Sequence, residues 1–570
     1  MKEQSVVNPK LKPDKLMKTL RSLEQAPAKD YAHIVGTYDF NDFLLTIEHV
    51  PDRPERYPTH VRVTVPHMFA KFPKDVFTPK SREIAARDFI ARSFDSQAPR
   101  FSASQPGIRG GTISIETPVR EVLEISAVVV NDNSIEARFT VELPVQKGRI
   151  SCPAALELLT KKVPALVREC LMFPNMDGEK LADWIETAED AEYLRGALAD
   201  RGLVAFVADG SILPRRISQA VKGIVPFTSP DELAVTLDLP NLGSIRGMGI
   251  PKGITLITGG VSHGKTTLLR AIELGVYNHH HGDGREFVVT APDAVGVRVE
   301  EGRRIEHADI SPIIGTIATN IDTKKFSSHL APPAASLAAN LMEALEIGTS
   351  LLLFDDENIT ANMLGNDGHM QKLVPLGDSP AHGLVDILPR LRDEHGISSI
   401  VAGGSGDFFA VADTVITMKN YVCRDATAEA KRITEEFPTG RVWEHDKPFP
   451  LPAGRCPLTH SLEPFKTEHD SRSRPQMRRY VQYGDEYIDV ANITQLIGQA
   501  QGRGITRGIA MVFKMMNSSR SLSEAVHRVM ERVEKIGPDA LSNRHMGDLS
   551  SFRAYELAAV INRLKNLKIQ

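Results

Sequence analysis

The stretch Gly259-Gly260-Val261-Ser262-His263-Gly264-Lys265-Thr266 constrains this 570-residue chain more than any other. It fits G-x-x-x-x-G-K-[ST] and lies between an apolar run, GITLIT, and a helix-like run, TTLLRAIELGVYNH. Glycines at such a turn let successive backbone N–H groups converge on one hollow, and a helix starting there adds positive potential. Strand, anion cradle and helix in that order call for an α/β core. The plainer reading is a glycine turn with a solvated lysine. In the phosphate reading, Gly259, Gly260, Ser262, His263, Gly264, Lys265, Thr266 and Thr267 line a nucleotide's phosphates. Lys265 reaches the β- and γ-phosphates, and the Thr266 hydroxyl ligates Mg²⁺. His263 is expected to fill or cap the loop rather than act as a base, since this chemistry requires no histidine.

A phosphate cradle of this kind needs a carboxylate for magnesium. Ser350-Leu351-Leu352-Leu353-Phe354-Asp355-Asp356-Glu357 offers one, because a buried apolar strand ending in acids delivers them to the sheet edge where the cradle also lies. Asp355 is the expected Mg²⁺ acid, and Asp356 or Glu357 the group that orients the attacking water. Gly403-Gly404-Ser405-Gly406-Asp407 follows the strand SSIVA and reads equally as a γ-phosphate sensor or a tight turn. Arg298, Arg303 and Arg304 follow the strand EFVVT, and spacing alone favours solvated side chains over a phosphate or subunit contact. His279-His280-His281 lacks a partner at metal-ligand spacing.

Composition narrows the class. Apolar residues make up 42% and charged residues 25%, enough to bury a large core and too balanced for a disordered chain or a fibre. The length suggests three or four domains at roughly 150 residues each. A net charge of −4 excludes a chain basic throughout, but not a local basic patch. Candidates for such a patch are Arg100, Arg109, Arg149 and the cluster Arg472, Arg474, Arg478, Arg479, with Phe101, Tyr480 and Tyr483 nearby for stacking. The four cysteines are scattered, with no C-x-x-C pair, which points to reduced, unpaired thiols. No run of 18 apolar residues marks a membrane span, and the first residues show neither a signal peptide nor a visible presequence.

Along the chain, residues 1–200 read as an α+β domain. The strands are FLLTIEHV, HVRVTVP, EISAVVV and IEARFTVELP, and the helices lie near 81–94, 153–170 and 176–201. Residues 201–440 alternate short apolar strands (GITLITGG, EFVVTAP, SLLLFDD, SSIVAGG, TVITMKN) with helices, the mark of a largely parallel sheet. A connector rich in proline and charge spans 441–482. Residues 483–570 read as mainly helical, with a capping box at Ser521 and Glu524 and an apolar face of Val526, Val529, Met530 and Val533.

Longer stretches resemble the family of predicted ATPases of the ABC class. They include LVAFVADGSILPRR, the run GMGIPKGITLITGGVSHGKTTLLRAIELGVYNHHHGDGREFVVT, PDAVGVRVEEGRRIEHADISP, NLMEALEIGTSLLLFDDE and GGSGDFFAVADTVITMKNY. The likeness continues in GDEYIDVANITQLIGQAQ and GDLSSFRAYELAAVINRL. It implies an ABC-type P-loop core with its own N-terminal α+β domain and a helical C-terminal region. It also implies a dimer that sandwiches ATP between one subunit's P-loop and the other's signature loop. Among members, the sequence is most similar to the kinetoplastid mitochondrial type associated with RNA editing. That implies RNA in a basic passage between subunits and membership of an RNA-processing complex.

The sequence departs from the family pattern in four places. Asp356 stands where a glutamate is usual, and the shorter acid predicts slow turnover. The signature position is Ala331-Pro332-Pro333-Ala334-Ala335-Ser336, whose prolines lack N–H donors, so that contact with a partner's nucleotide is either lost or made by Ser336 and the following helix start. The N-terminal glycine loop is SASQPGIRGG, with Arg109 its only charge. No switch histidine is present, and Ser405 or Asp407 occupies its neighbourhood.

The expectation is therefore an ATPase in which Mg-ATP closes a homodimer, with Lys265, Asp356 and Glu357 at the reacting end, and in which nucleotide state changes the fit of RNA. Its rival is a nucleotide-dependent protein scaffold that barely hydrolyses ATP. A small-molecule kinase is disfavoured, because no lid is recognisable.

Overall fold

The computed structural model describes residues 10–102, 106–215, 224–315, 321–374, 381–443, 448–464, 479–517 and 519–570. Arg472, Arg474 and Arg478 of the sequence-predicted basic cluster lie outside the described residues. The chain forms two units, one of Met1–Glu189 with Ile536–Ser551, the other of Asp190–Lys535 with Phe552–Gln570. No helix among the described residues is long and apolar enough to cross a membrane.

The first unit is built on an antiparallel sheet. Its strands are β1 (Gly36–Asp39), β2 (Leu44–His49), β3 (Thr59–Pro66), β4 (Ile113–Ser114), β5 (Val128–Asn131) and β6 (Ser134–Val141), in the order β1-β2-β3-β6-β4 with β5 also on β6. Alternation along β6 turns Ile135, Ala137, Phe139 and Val141 to one face. There Phe139 meets Phe94 of the long helix α1 (Lys80–Phe101), with ring centroids 4.9 Å apart. That helix runs beyond the expected 81–94 because Ala98 continues its buried stripe. EISAVVV, expected as one strand, pairs on β6 only from Val128. The reason lies in its first half, where the Ile125 carbonyl accepts from buried Arg87 and Ser126 N donates to Leu549 O at 2.9 Å. The opposite face of β6 carries Glu136 and Arg138. Arg138 forks onto Asp539 (2.8 Å to Oδ2), so the late segment Ile536–Ser551 completes this unit. A hairpin of β7 (Val145–Gln146) and β8 (Arg149–Ile150) follows.

The second unit contains two larger sheets. The antiparallel one runs β10-β11-β9-β13, from β9 (Leu203–Ala208), β10 (Ala234–Leu239), β11 (Gly243–Pro251) and β13 (Val288–Thr290). This corrects the expectation that EFVVT joins the parallel sheet, for β13 pairs antiparallel with β9, Phe206 opposite Val289. A short apolar strand carries no mark of its partner's direction. The other sheet has the order β14-β15-β16-β12-β17-β18, from β12 (Ile254–Gly259), β14 (Val295–Gly296), β15 (Leu351–Asp355), β16 (Ser398–Ala402), β17 (Thr414–Lys419) and β18 (Val422–Asp425). All pairs are parallel except the closing hairpin β17–β18.

Every residue of β15 and β16 is buried, so both faces of each strand are covered and neither strand alternates apolar with polar residues. One layer of helices comprises α3 (Pro333–Ile347) and α4 (Leu384–His395), whose Leu337, Leu341, Ile387 and Leu391 join Leu256, Phe354 and Val401 in one core. Helix α2 (Lys265–Leu274) buries Leu268, Leu269 and Ile272.

The C-terminal part opens with a hairpin, β19 (Tyr480–Tyr483) and β20 (Glu486–Asp489), which mainly helical patterning did not announce. Helix α5 (Leu522–Ile536) starts where the capping box places it. Glu524 N donates to Ser521 Oγ at 3.2 Å, and Val526, Val529, Met530 and Val533 are buried.

Candidate functional site

The strand order explains how two distant motifs meet. Strand β12 ends in Gly259 and β15 in Asp355, with β16 between them, and parallel pairing sets all three C-terminal ends on one edge. Gly259 sits at φ 137°, where an added Cβ would lie 2.2 Å from the Met418 carbonyl oxygen, so only glycine fits. The loop then curls through Ser262 (φ 64°) to Gly264 (φ 106°), which opens α2. Having no side chain, Gly264 leaves the first-turn N–H groups without a side-chain cap, the arrangement that receives an anion.

Lys265 Nζ folds over this loop, donating to Gly259 O at 3.0 Å and Gly260 O at 3.1 Å. The Thr266 hydroxyl donates to Asp355 Oδ1 at 3.5 Å. Thr267 is half-buried in the same turn. His263 anchors the loop from behind: its Nδ1 accepts from Asn420 N at 2.7 Å, and its carbonyl accepts from Tyr421 N at 3.0 Å. Asn420 and Tyr421 form the positive-φ turn between β17 and β18. The ring is thus committed to holding the loop in shape.

Burial pushes the Asp355 carboxyl up from its ordinary value, and the nearby Glu357 and Asp356 carboxylates add to the rise while Arg270 opposes it. A carboxylate so placed gains by meeting a cation. Asn358 Nδ2 donates to its other oxygen at 3.4 Å. Asp356 and Glu357 go different ways. Asp356 Oδ2 accepts from Gly404 N at 3.0 Å, which ties it to the loop after β16, whereas Glu357 is exposed. Of the two residues near the missing switch histidine, Ser405 is half-buried at the start of a 3-10 turn. Asp407 turns inward, 3.8 Å from Arg441.

Three expectations need correction. Arg298 and Arg303 are not solvated but buried, Arg298 on Glu273 (3.0 Å) and Arg303 on Glu343 (2.7 Å), and Arg304 pairs with Glu306 (2.7 Å). Acids on the inner faces of α2 and α3 draw them in. Ser336 is fully buried, its hydroxyl donating to Pro333 O (2.7 Å) and accepting from Glu300 N (2.9 Å). It therefore presents nothing outward, and within Ala331–Ser336 only Pro332 is exposed. His279 does have an acidic neighbour, with Nδ1 2.9 Å from buried Asp283. Even so, no group of three or more possible metal ligands occurs among the described residues.

Of the arginines considered for nucleic acid, two come together in the first unit. Arg109 exchanges backbone hydrogen bonds with Val145 (2.9 and 2.8 Å) at the β7–β8 hairpin that carries Arg149, with exposed Lys147 at its turn. Arg100 is exposed but pairs with Glu169 at 2.9 Å and lies 5.8 Å from the Phe101 ring centroid. Arg479, in the other unit, pairs with Asp489 at 2.9 Å.

Sequence reasoning passed over Glu273, although its spacing from Leu269 puts a charge on the buried face of α2. It receives Arg298 and the Thr494 hydroxyl, and its backbone oxygen accepts from Gln495 Nε2 at 2.9 Å. The helix carrying the cradle is thereby joined to the segment ANITQLIG.

A glycine cradle, its lysine, and a threonine beside a buried acid on a parallel sheet define a P-loop nucleotide-binding core. Three family models match the chain in succession: the ATPase of the ABC class N-terminal domain over residues 13–174, the ABC ATPase P-loop domain over 177–452, and the MRB1590 C-terminal domain over 473–570. The chain belongs to the ABC-class ATPases. Among curated proteins it is similar to the uncharacterized protein MJ1628 of Methanocaldococcus jannaschii, 29% identical over 255 residues. That match spans 42% of this chain and 56% of the relative. Similar solved structures include MJ1267 in its ADP conformation, an ATP-binding cassette of an ABC transporter (14% identity, 35% of this chain and 90% of that one, TM-score 0.21). Another is cbiO1 from Clostridium perfringens, part of the ABC transporter complex cbiONQ (13% identity, 42% and 96%, TM-score 0.23).

Proposed function

We propose that this protein binds Mg-ATP in the Gly259–Thr266 cradle, hydrolyses it slowly at a homodimer interface, and uses nucleotide state to govern its grip on RNA. The observation that carries the reading is the meeting of Thr266 and Asp355 beside the cradle. Thr266 and Asp355 would hold Mg²⁺, and Lys265 with the backbone of Gly259–Gly264 would hold the phosphates. Bound magnesium supplies charge neutralisation at the phosphates. Asp356, fixed by the Gly404 amide, or the exposed Glu357 would orient the attacking water.

For RNA, exposed Arg109, Lys147 and Arg149 at one hairpin offer the kind of positive surface that tracks a phosphate backbone with little sequence preference. The MRB1590 C-terminal match supports the likeness to the kinetoplastid mitochondrial type, and with it a place in a mitochondrial RNA-processing or RNA-editing complex.

A second reading, a scaffold that binds ATP but scarcely hydrolyses it, is favoured by the buried Ser336 and the short Asp356. Two measurements test the pair. Steady-state ATPase assays of the wild type with Asp356→Asn and Glu357→Gln decide whether hydrolysis occurs and which acid serves it. Filter binding of single-stranded RNA across a salt series, with and without ATP, decides the RNA half. Binding that falls with salt and changes with nucleotide supports the proposal, and no retention favours the scaffold.

A further inference from the structure

One buried cation ties together three pieces of chain near the acids. Arg441 lies in the segment that follows the helix Thr427–Glu436, and its side chain is 1% exposed. One arm of its guanidinium donates to the Asn366 carbonyl, in the turn between the short helices Ala361–Leu364 and Gly368–Leu373. The other arm pairs with Asp386 in the first turn of α4. Asp407, three residues past the Gly404 amide that holds Asp356, lies 3.8 Å from the first arm. The Trp443 ring packs on the guanidinium, its centroid 5.3 Å away.

The backbone around Arg441 is clamped as well. The Gln371 side-chain amide pairs with Val442, donating to its carbonyl at 3.1 Å and accepting from its N–H at 2.8 Å. Gly368 lies so close to this strap that an added Cβ would stand 2.2 Å from the Thr439 carbonyl oxygen.

A closed circuit results. It leaves Asp356 through the 3-10 turn Asp356–Asn358 and the short helix Ala361–Leu364 to Asn366, crosses Arg441 to Asp407, and returns through Gly404 to the Asp356 carboxylate. A buried guanidinium with planar, fixed donors is a rigid joint, and the cost of leaving its acids unpaired keeps the circuit shut.

We propose that Arg441 is a positioning residue for phosphoryl transfer, locking the segment after the Asp355-Asp356-Glu357 turn to the glycine loop after β16 so that acid and loop move as one body when nucleotide binds. This rests on the reading of the cradle as an ATP site. Arg441 touches no reacting atom. It acts by fixing the direction of the Asp356 carboxylate, where a displacement on the order of 1 Å costs about a hundredfold in rate.

Trp443 supplies a readout independent of turnover. The chain has two tryptophans, and Trp184 lies in the other unit. In a Trp184→Phe background, Mg-ATPγS should shift the Trp443 emission, and Arg441→Lys should abolish that shift. The same Arg441→Lys variant should lower kcat about tenfold or more while leaving the dissociation constant of a fluorescent ATP analogue within about twofold. Arg441→Met paired with Asp386→Asn tests the same point in a chain with one buried carboxylate fewer to leave unpaired. An unchanged kcat in the soluble variants overturns the proposal. So does a Trp443 emission indifferent to nucleotide, or a loss of kcat matched by equal losses in nucleotide affinity and melting temperature. Should the wild type bind ATP but not hydrolyse it, the hydrolysis reading falls, and the Trp443 response alone decides whether Arg441 couples the loop to the nucleotide.

Discussion

Gly259–Thr266 and Ala331–Ser336 are both short runs of small residues that lead into a helix, yet their polar groups face opposite ways. In the first, the backbone curls through positive φ, the helix start has no side-chain cap, and Lys265 and Thr266 stand at the rim. In the second, two prolines replace donors, and the Ser336 hydroxyl is spent on Pro333 and Glu300. Arginines divide in the same way. Arg109 and Arg149 stay outside, while Arg298 and Arg303 lie inside on Glu273 and Glu343. Composition does not separate the two kinds. For the arginines, what separates them is whether an acid from another element arrives to pair the charge.

The contrast is tested most forcefully on its inward side. Glu343→Gln should leave the buried Arg303 guanidinium without its hydrogen-bonded carboxylate and cost about 3–5 kcal/mol of stability. Urea denaturation measures this, and a loss under about 1 kcal/mol would mean that Arg303 reaches solvent after all. Next in size is the outward side. Lys265→Ala should reduce ATP turnover about a hundredfold or more, equivalent to about 2.7 kcal/mol of transition-state stabilisation, with the fold intact by circular dichroism. Unaltered turnover would make the cradle a mere turn. Asp356→Asn should lower kcat by about one to two orders of magnitude and Glu357→Gln by less than about threefold, because only Asp356 is oriented by a backbone donor. The reverse ranking would assign the water to the exposed acid.

Much of the geometry of the outward side was readable in the sequence, because it is written in contiguous residues. The glycine spacing specifies a backbone shape, the lysine and threonine follow at fixed offsets, and an apolar strand ending in acids lands on the same sheet edge wherever it lies in the chain. The start of α5 was readable for the same reason, since Ser521 and Glu524 are one turn apart. Inward features were not, because they depend on partners remote in sequence. Nothing near Arg298 announces Glu273, nothing near Asp407 announces Arg441, and nothing near Arg138 announces Asp539, which returns to the first unit from the far end of the chain. EFVVT was misplaced for a related reason. Its apolarity marks burial, while its antiparallel partner β9 is fixed by the path of the chain between them.

Smaller effects sharpen the comparison within the signature position. Ser336→Ala removes a buried hydroxyl that both donates and accepts, leaving Glu300 N without that acceptor, at a cost of about 1–3 kcal/mol. Turnover per folded molecule should hold, because the hydroxyl faces the core. A variant that folds with undiminished stability yet loses turnover would show that Ser336 swings outward when two subunits close on nucleotide.

The smallest expected effect belongs to the exposed arginines. Arg149 gives one N–H to the Gln25 carbonyl at 2.8 Å and has no carboxylate partner among the ion pairs of the described residues, so its charge remains available to a phosphate. Arg149→Ala should therefore weaken RNA binding a few-fold at about 0.1 M salt and lower the slope of log affinity against log salt by about 0.7, the value for one single-strand phosphate contact. Arg100→Ala, which removes a side chain already paired with Glu169, should change that slope less. Equal slopes for the two variants would mean that ion pairing at this surface does not decide which arginines meet RNA. The division between spent and available donors would then hold for the protein interior and the nucleotide cradle but not for this exposed face of the first unit.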